Sequence, residues 1–169
     1  VWHMHMNVNI VNKVKRFKNF IKFKFFGFGK TYHIAVSEPV RDAINSLKPK
    51  NRCVYIPNSL DLSRLNLTNN KIKRNTKNLL IFGWEPYVKG LDITLDVCEK
   101  LAEEGKKFKL LVSSQEKTYK YMNQRYGKLP DWIELLEPTS DISSIYNMAD
   151  IMISASRSEG FSYAMLEAL

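Results

Sequence analysis

The sequence predicts an α/β protein whose parallel sheet is covered by helices on both faces. Three observations carry this reading. Short apolar runs at 79–82, 108–112, 132–136 and 151–154 alternate with helical stretches along the second half of the chain. Those runs are almost continuously apolar, the pattern of strands buried on both faces. The composition, 44% hydrophobic and 25% charged over 169 residues, excludes a disordered chain, a collagen or a bundle of membrane spans.

The elements follow in order. Ile10, Val14, Phe17, Ile21 and Phe25 recur at steps of four, three, four and four, which is helical spacing with lysines on the opposite face. Tyr32 to Val36 reads as a short strand. Ser37 and Glu38 open a helix that runs to Leu47, and Pro49 closes it. Val54 to Ile56 is a further strand, stopped by Pro57 and Asn58. Residues 58–77 hold five Asn, no aromatic residue and little periodicity, so they read as a linker. Leu79 to Phe82 is a strand that turns at Gly83. A helix over 90–104 has Leu91, Leu95, Cys98 and Leu101 or Ala102 on one face, and Gly105 just past its end. The expected remainder is a strand at 108–112, a helix at 117–126 and a strand at 132–136. A helix at 141–148 opened by Ser140 and Asp141, a strand at 151–154 and a helix from Ser162 complete it.

The formal charge is +9, from 26 Lys and Arg against 17 Asp and Glu. Seven cations precede the first acid, Glu38, leaving 19 against 17, or +2, for residues 38–169. Cys53 and Cys98 have no metal-ligand spacing and are too few for a disulfide framework, so a reducing cytoplasmic compartment is the default. The sequon Asn66-Leu67-Thr68 would then go unmodified. No apolar run approaches the ~18 residues of a membrane span, and the start is unlike a signal peptide. The chain begins at Val1 and stops inside an expected helix, so the expectation is a fragment cut at both ends.

In parallel α/β sheets, ligands bind beyond the carboxyl ends of the strands, which singles out loops 83–90, 113–116, 137–141 and 155–162. The last places Glu159 and Glu167 eight positions apart, separated by small residues and a helix start whose free N–H groups suit a phosphate. Spacing alone favours the plainer reading, with Glu159 a first-turn acid suited to the helix dipole and Glu167 a surface residue. In the first loop, Lys89 before Gly90 is a point charge suited to phosphate. Gly29-Lys30-Thr31 resembles the tail of a P-loop, but Lys24 stands where its first glycine is needed and the loop precedes a strand.

Taken together, these loops resemble a family. Asn78 to Gly83, Lys89-Gly90-Leu91-Asp92 and Ser156 to Glu167 are similar to the C-terminal domain of retaining glycosyltransferases of family four, which have the GT-B fold. Glu159 and Glu167 match its Glu-x7-Glu signature, with Gly160 and Phe161 also in place. Ala35 to Val40 and Val54 to Asp61 are similar to the end of its N-terminal domain. The resemblance covers residues 30–169. It implies a Rossmann-like nucleotide-sugar-binding domain at 78–169, a linker at 61–77, and at 1–60 the tail of a second, acceptor-side Rossmann-like domain.

The implied reaction is sugar transfer from a nucleotide-diphospho-sugar to a polysaccharide or lipid-linked glycan, with retention of configuration. Glu159, the candidate catalytic residue, would contact the sugar hydroxyls. Lys89 would neutralise the diphosphate, with support from N–H groups around Phe161, Ser162, Tyr163 and Ala164. Glu167 would hold the ribose, and Glu137 would lie near the base. No cofactor or metal is expected, and the chain has no Asp-x-Asp. His3 and His5 are acceptor-side candidates. Two departures stand out: Trp84 occupies a position where many members carry an arginine, and Asn58-Ser59 replaces Asn-Gly. Without the rest of both domains, the fragment alone is expected to be inactive.

The Phe- and Lys-rich segment at 10–30 suits an anionic membrane surface. It also fits packing inside an N-terminal domain and, in third place, nucleic acid. The membrane reading is preferred and no nucleic-acid partner is expected, which places the protein in the cytoplasm at the inner face of the membrane. The non-enzyme alternative is a basic membrane- or nucleic-acid-binding module.

Overall fold

The computed structural model describes residues 2–4, 32–47, 53–61, 65, 75–159 and 162–169. The basic segment at 10–30, most of the linker, His5, Gly160 and Phe161 lie outside the described residues. The chain divides into two compact units, Val1–Ser59 with Ser158–Tyr163, and Leu60–Arg157 with Ala164–Leu169.

In the first unit, strands β1 (Trp2–Met4), β2 (His33–Ala35) and β3 (Cys53–Tyr55) form a parallel sheet in that order. Helix α1 (Glu38–Leu47) connects β2 to β3. Its first turn closes when Arg41 N–H donates to the Ser37 carbonyl at 3.0 Å, and Glu38 sits where the helix dipole favours an acid. Val40 and Ile44, one turn apart, pack with Ala35 and Cys53 as a small core.

The second unit is a four-stranded parallel sheet. Its strands are β4 (Lys77–Phe82), β5 (Phe108–Ser113), β6 (Ile133–Leu136) and β7 (Ile151–Met152), in the order β6-β5-β4-β7. Helices α2 (Leu91–Glu103), α3 (Glu116–Tyr126) and α4 (Ile142–Met148) belong to it, as does α5 (Tyr163–Glu167) from Ala164 onward. The continuous apolar runs have a simple cause. Ile81, Leu110, Val112 and Ile133 face Leu91, Leu95 and Cys98 of α2 and Met122 of α3. Their chain neighbours Leu80, Phe82 and Leu111 face the opposite way, against Ile145 of α4 with Met148 and Ala164 beside it. Burial of each such side chain contributes ~1.5–3 kcal/mol.

The helix starts use different chemistry. Asp141 caps α4 by accepting the Ser144 N–H at 3.2 Å. Gln115 opens α3, its N–H donating to Thr118 Oγ1 at 3.2 Å. Between α2 and α3, Arg125 forks onto Glu99 at 2.8 and 3.1 Å and reaches Asp96 at 2.6 Å, while the Tyr126 hydroxyl donates to Glu99 at 2.5 Å. Strand β7 is shorter than the expected 151–154. Ile153 N–H still donates to the Leu80 carbonyl at 2.8 Å, but the chain then turns to lay Ala155 against Gly90.

Candidate functional site

The strand order fixes where a ligand can enter. From β4 the chain steps outward to β5 and β6, then returns to pair β7 on the other side of β4. The reversal marks a topological switch point beyond the carboxyl ends of β4 and β7, the place where sheets of this kind bind ligands in a crevice. Loops 83–90 and 153–157 border it.

Gly83 begins the first loop. A Cβ there would lie 2.7 Å from Val112 Cγ1, so only glycine lets β4 leave the sheet this close to β5. Its N–H donates to the Ser113 carbonyl at 3.0 Å, and its carbonyl accepts the hydroxyl of fully buried Thr118 at 2.9 Å. Sequence reasoning missed Thr118, which ties the site loop to α3. Next along the loop, Trp84 packs 5.9 Å from Phe82 and is 38% exposed. The Lys89 ammonium lies 4.9 Å from the Trp84 ring centroid, a cation–π contact worth ~0.5–1 kcal/mol at an exposed site. Glu85 is ion-paired with Lys117 at the start of α3.

The loop closes as a tight turn. Lys89 N–H donates to Glu85 O at 2.8 Å, and Leu91 N–H to Pro86 O at 2.8 Å. Gly90, at φ +70°, starts α2 in the left-handed region that favours glycine. A Cβ on it would fall 2.0 Å from the Ala155 carbonyl oxygen. The two loops are therefore in direct backbone contact.

Arg157 binds them further. Its guanidinium donates to both Asp92 carboxylate oxygens at 2.7 and 2.8 Å and to the Tyr87 carbonyl at 2.7 Å. It also lies 4.0 Å from the Tyr87 ring centroid. The hydrogen bond from Arg157 holds the Asp92 carboxyl below its ordinary range. No local signature reveals a pair 65 residues apart, and sequence reasoning gave Arg157 no role.

Two more carboxylates on this unit have aromatic partners. Glu137, just past β6, accepts the Tyr119 hydroxyl at 2.6 Å, and that bond, with burial second, pushes the Tyr119 phenol up to about 12. Glu167 on α5 accepts the Tyr146 hydroxyl at 2.8 Å. Tyr146 is placed edge-on to Phe82 at 5.8 Å. Burial first and Glu167 second raise its phenol well above the ordinary range. Both tyrosines remain protonated donors at neutral pH and fix their glutamates.

Of the residues singled out by sequence, Lys89, Glu137 and Glu167 thus lie on the second unit. Glu159 and Ser162 are half-buried and Tyr163 is exposed, all three in the segment grouped with the first unit. His3 is the middle residue of β1, its backbone in register with Ile34. Among the described residues, no three His, Cys, Asp or Glu side chains gather as metal ligands would. No helix among them is long and apolar enough to cross a membrane.

Known proteins share this fold. No curated protein matches the chain in sequence. Solved structures do match in fold. A TarM variant from S. aureus, in complex with fondaparinux, alpha-GlcNAc-glycerol and UDP, superposes with TM-score 0.71 at 16% identity, over 99% of this chain and 34% of its own. The pneumococcal O-GlcNAc transferase GtfA, in complex with UDP and GlcNAc, gives 0.65 at 19% identity, over 98% and 34%. The catalytic domain of Arabidopsis thaliana starch synthase IV, bound to ADP and acarbose, gives 0.54 at 15%, over 81% and 37%. The chain spans about a third of the length of each. The family model of glycosyl transferases group 1 matches residues 76–169, or 94 of 169. The chain therefore belongs to the group 1 glycosyltransferases, and its doubly wound sheet is a portion of the C-terminal Rossmann-like domain of a GT-B fold.

Proposed function

We propose that this chain carries the donor-binding part of a retaining glycosyltransferase that takes its sugar from a nucleoside-diphosphate sugar. The observation that supports this most is the topological switch point between β4 and β7, bordered by the Lys89 loop. Lys89 neutralises the diphosphate, and its charge counts most as the leaving group develops negative charge in the transition state. Glu159 binds the sugar hydroxyls, with the backbone N–H groups around Phe161 to Ala164 supporting the phosphates. Glu167, held by Tyr146, takes the ribose, and Glu137, held by Tyr119, lies at the base end. Residues 78–169 form the donor domain, 61–77 the linker and 1–60 the acceptor-side domain, to which His3 and His5 belong as candidate acceptor contacts. The acceptor is a glycan or a lipid-linked sugar, brought to the enzyme at an anionic cytoplasmic membrane surface that residues 10–30 bind.

The full-length protein tests this by calorimetric titration with UDP and ADP, the nucleotides seen in the related structures. Saturable binding of one of them, weakened about tenfold or more by Lys89→Ala, is expected for the loss of a charge-assisted hydrogen bond. No binding of either, or an unchanged affinity in the variant, refutes the donor reading. Sedimentation with vesicles tests the membrane surface: equal binding to neutral and anionic lipid contradicts it.

A further inference from the structure

We propose that Arg157 is a positioning residue that locks the loop after β7 onto the loop after β4 and so presents Lys89 to a diphosphate. The inference rests on the donor-binding reading and adds a residue to it. Arg157 meets the 87–92 segment at four separate points. Its side chain takes the Tyr87 carbonyl and both oxygens of Asp92, and its guanidinium lies against the Tyr87 ring. Its own N–H donates to the Val88 carbonyl at 2.8 Å. Lys89 and Gly90 lie between these anchors, and Gly90 is itself pressed on Ala155, two residues before Arg157. The Lys89 side chain is thus held from two directions, by the clamped backbone beneath it and by the Trp84 ring beside it.

The charge arithmetic points the same way. Arg157 is bidentate to Asp92, so its charge is already neutralised and its planar face is occupied. A diphosphate arriving beside these loops would have to break that pair to use Arg157, whereas Lys89 sits on the segment that Arg157 holds still. Only an arginine can satisfy this set of partners. A lysine carries its three donors on one point charge without the planar fork, so it cannot set two nitrogens side by side against the carboxylate or lie flat on the ring. The Arg157 and Asp92 side chains retain 32% and 26% of their exposure. A pair that wet adds little to global stability, and its contribution is to geometry.

The experiment is calorimetric titration of the full-length protein, as wild type, Arg157→Lys, Asp92→Asn and the double variant, with UDP, ADP, UMP and AMP. If Arg157 positions Lys89, each single variant weakens diphosphate binding about tenfold or more, on the scale of a lost charge-assisted hydrogen bond. Monophosphate affinity barely moves, and the double variant is no worse than either single one, because one unit has been broken twice. Three results overturn the proposal. Wild-type affinity in Arg157→Lys shows that a point charge suffices. Equal or tighter diphosphate binding in Asp92→Asn shows that Arg157 is a phosphate ligand competing with Asp92. Equal losses for mono- and diphosphates show a purely structural role. Asp92→Asn preserves shape and carries the test if Arg157→Lys fails to fold. Absence of nucleotide binding in the wild type sinks the donor reading itself, and this inference with it.

Discussion

Replacing Gly90 by alanine separates backbone strain from loop contact, because a second glycine supplies the control. Gly90 and Gly105 begin and follow the same helix with nearly equal angles, φ +70° and +72°. Either substitution places an L side chain in the left-handed region, at a cost of ~1–2 kcal/mol. Their surroundings differ completely. A Cβ at Gly105 meets nothing within 4 Å, whereas one at Gly90 would lie 2.0 Å from the Ala155 carbonyl oxygen. Restoring a 3.4 Å contact requires 3.4 − 2.0 = 1.4 Å of movement by backbone, not by a flexible side-chain tip. Overpacking of that kind adds ~1–3 kcal/mol. Gly90→Ala should therefore cost ~2–5 kcal/mol against ~1–2 for Gly105→Ala. Urea unfolding of the full-length protein, with amide exchange over 91–103 as a local probe, reads the difference. Titration with UDP or ADP should show lost affinity only in Gly90→Ala. An equal cost at the two positions, or wild-type nucleotide affinity in Gly90→Ala, would refute the claim that the loops meet at Ala155.

Three other predictions follow from the packing and ionisation of the second unit. Leu95→Ala, at a fully buried position under the sheet, should destabilise by ~2–5 kcal/mol in urea unfolding; a loss below that range would mean that the core collapses around the gap. Tyr119 should ionise at about 12, because Glu137 and burial favour its neutral form. Its raised value gives stability that is present below the ordinary tyrosine range and lost as pH rises through about 12. A phenolate absorbance titration with the Tyr119→Phe curve subtracted reads this, and in Glu137→Gln the midpoint should fall toward the ordinary value. Glu99 is held low, chiefly by its hydrogen bond from Arg125 and then by Tyr126. Its contribution is present above the usual glutamate range and lost as pH falls through the lowered value. Arg125→Gln should thus cost ~1–2 kcal/mol at neutral pH and much less once the pH is low enough to protonate Glu99 in the folded protein, as unfolding at neutral and strongly acidic pH will show.

Local signals made most of the second unit legible. A strand buried on both faces is apolar at nearly every position, so 79–82 and 108–112 announced themselves, and the glycines at 90 and 105 bracketed α2 within a residue or two. Lys89, Glu137, Glu159 and Glu167 became candidates because a family motif is a linear pattern. The partners of these residues were not. Thr118 reads as an ordinary helix residue, Tyr146 as core and Arg157 as one more surface cation. Each gains its role from a residue at least 21 positions away: Gly83, Glu167 and Asp92.

Sequence by itself determined the α/β class, the local elements of the sheet and the residue types on the candidate loops. Apolar periodicity, turn residues and charge are properties of neighbours along the chain, so no tertiary contact is needed to read them. Only the tertiary structure decided the strand order β6-β5-β4-β7, and with it the position of the switch point. That order depends on which face each crossover helix packs against, a long-range choice made by burial. It also decided that Gly90 is pressed on Ala155 and that Arg157 is spent on Asp92 rather than left free for phosphate. Hydrogen bonds and close packing form between groups that folding brings together, and nothing in their local sequence fixes that meeting.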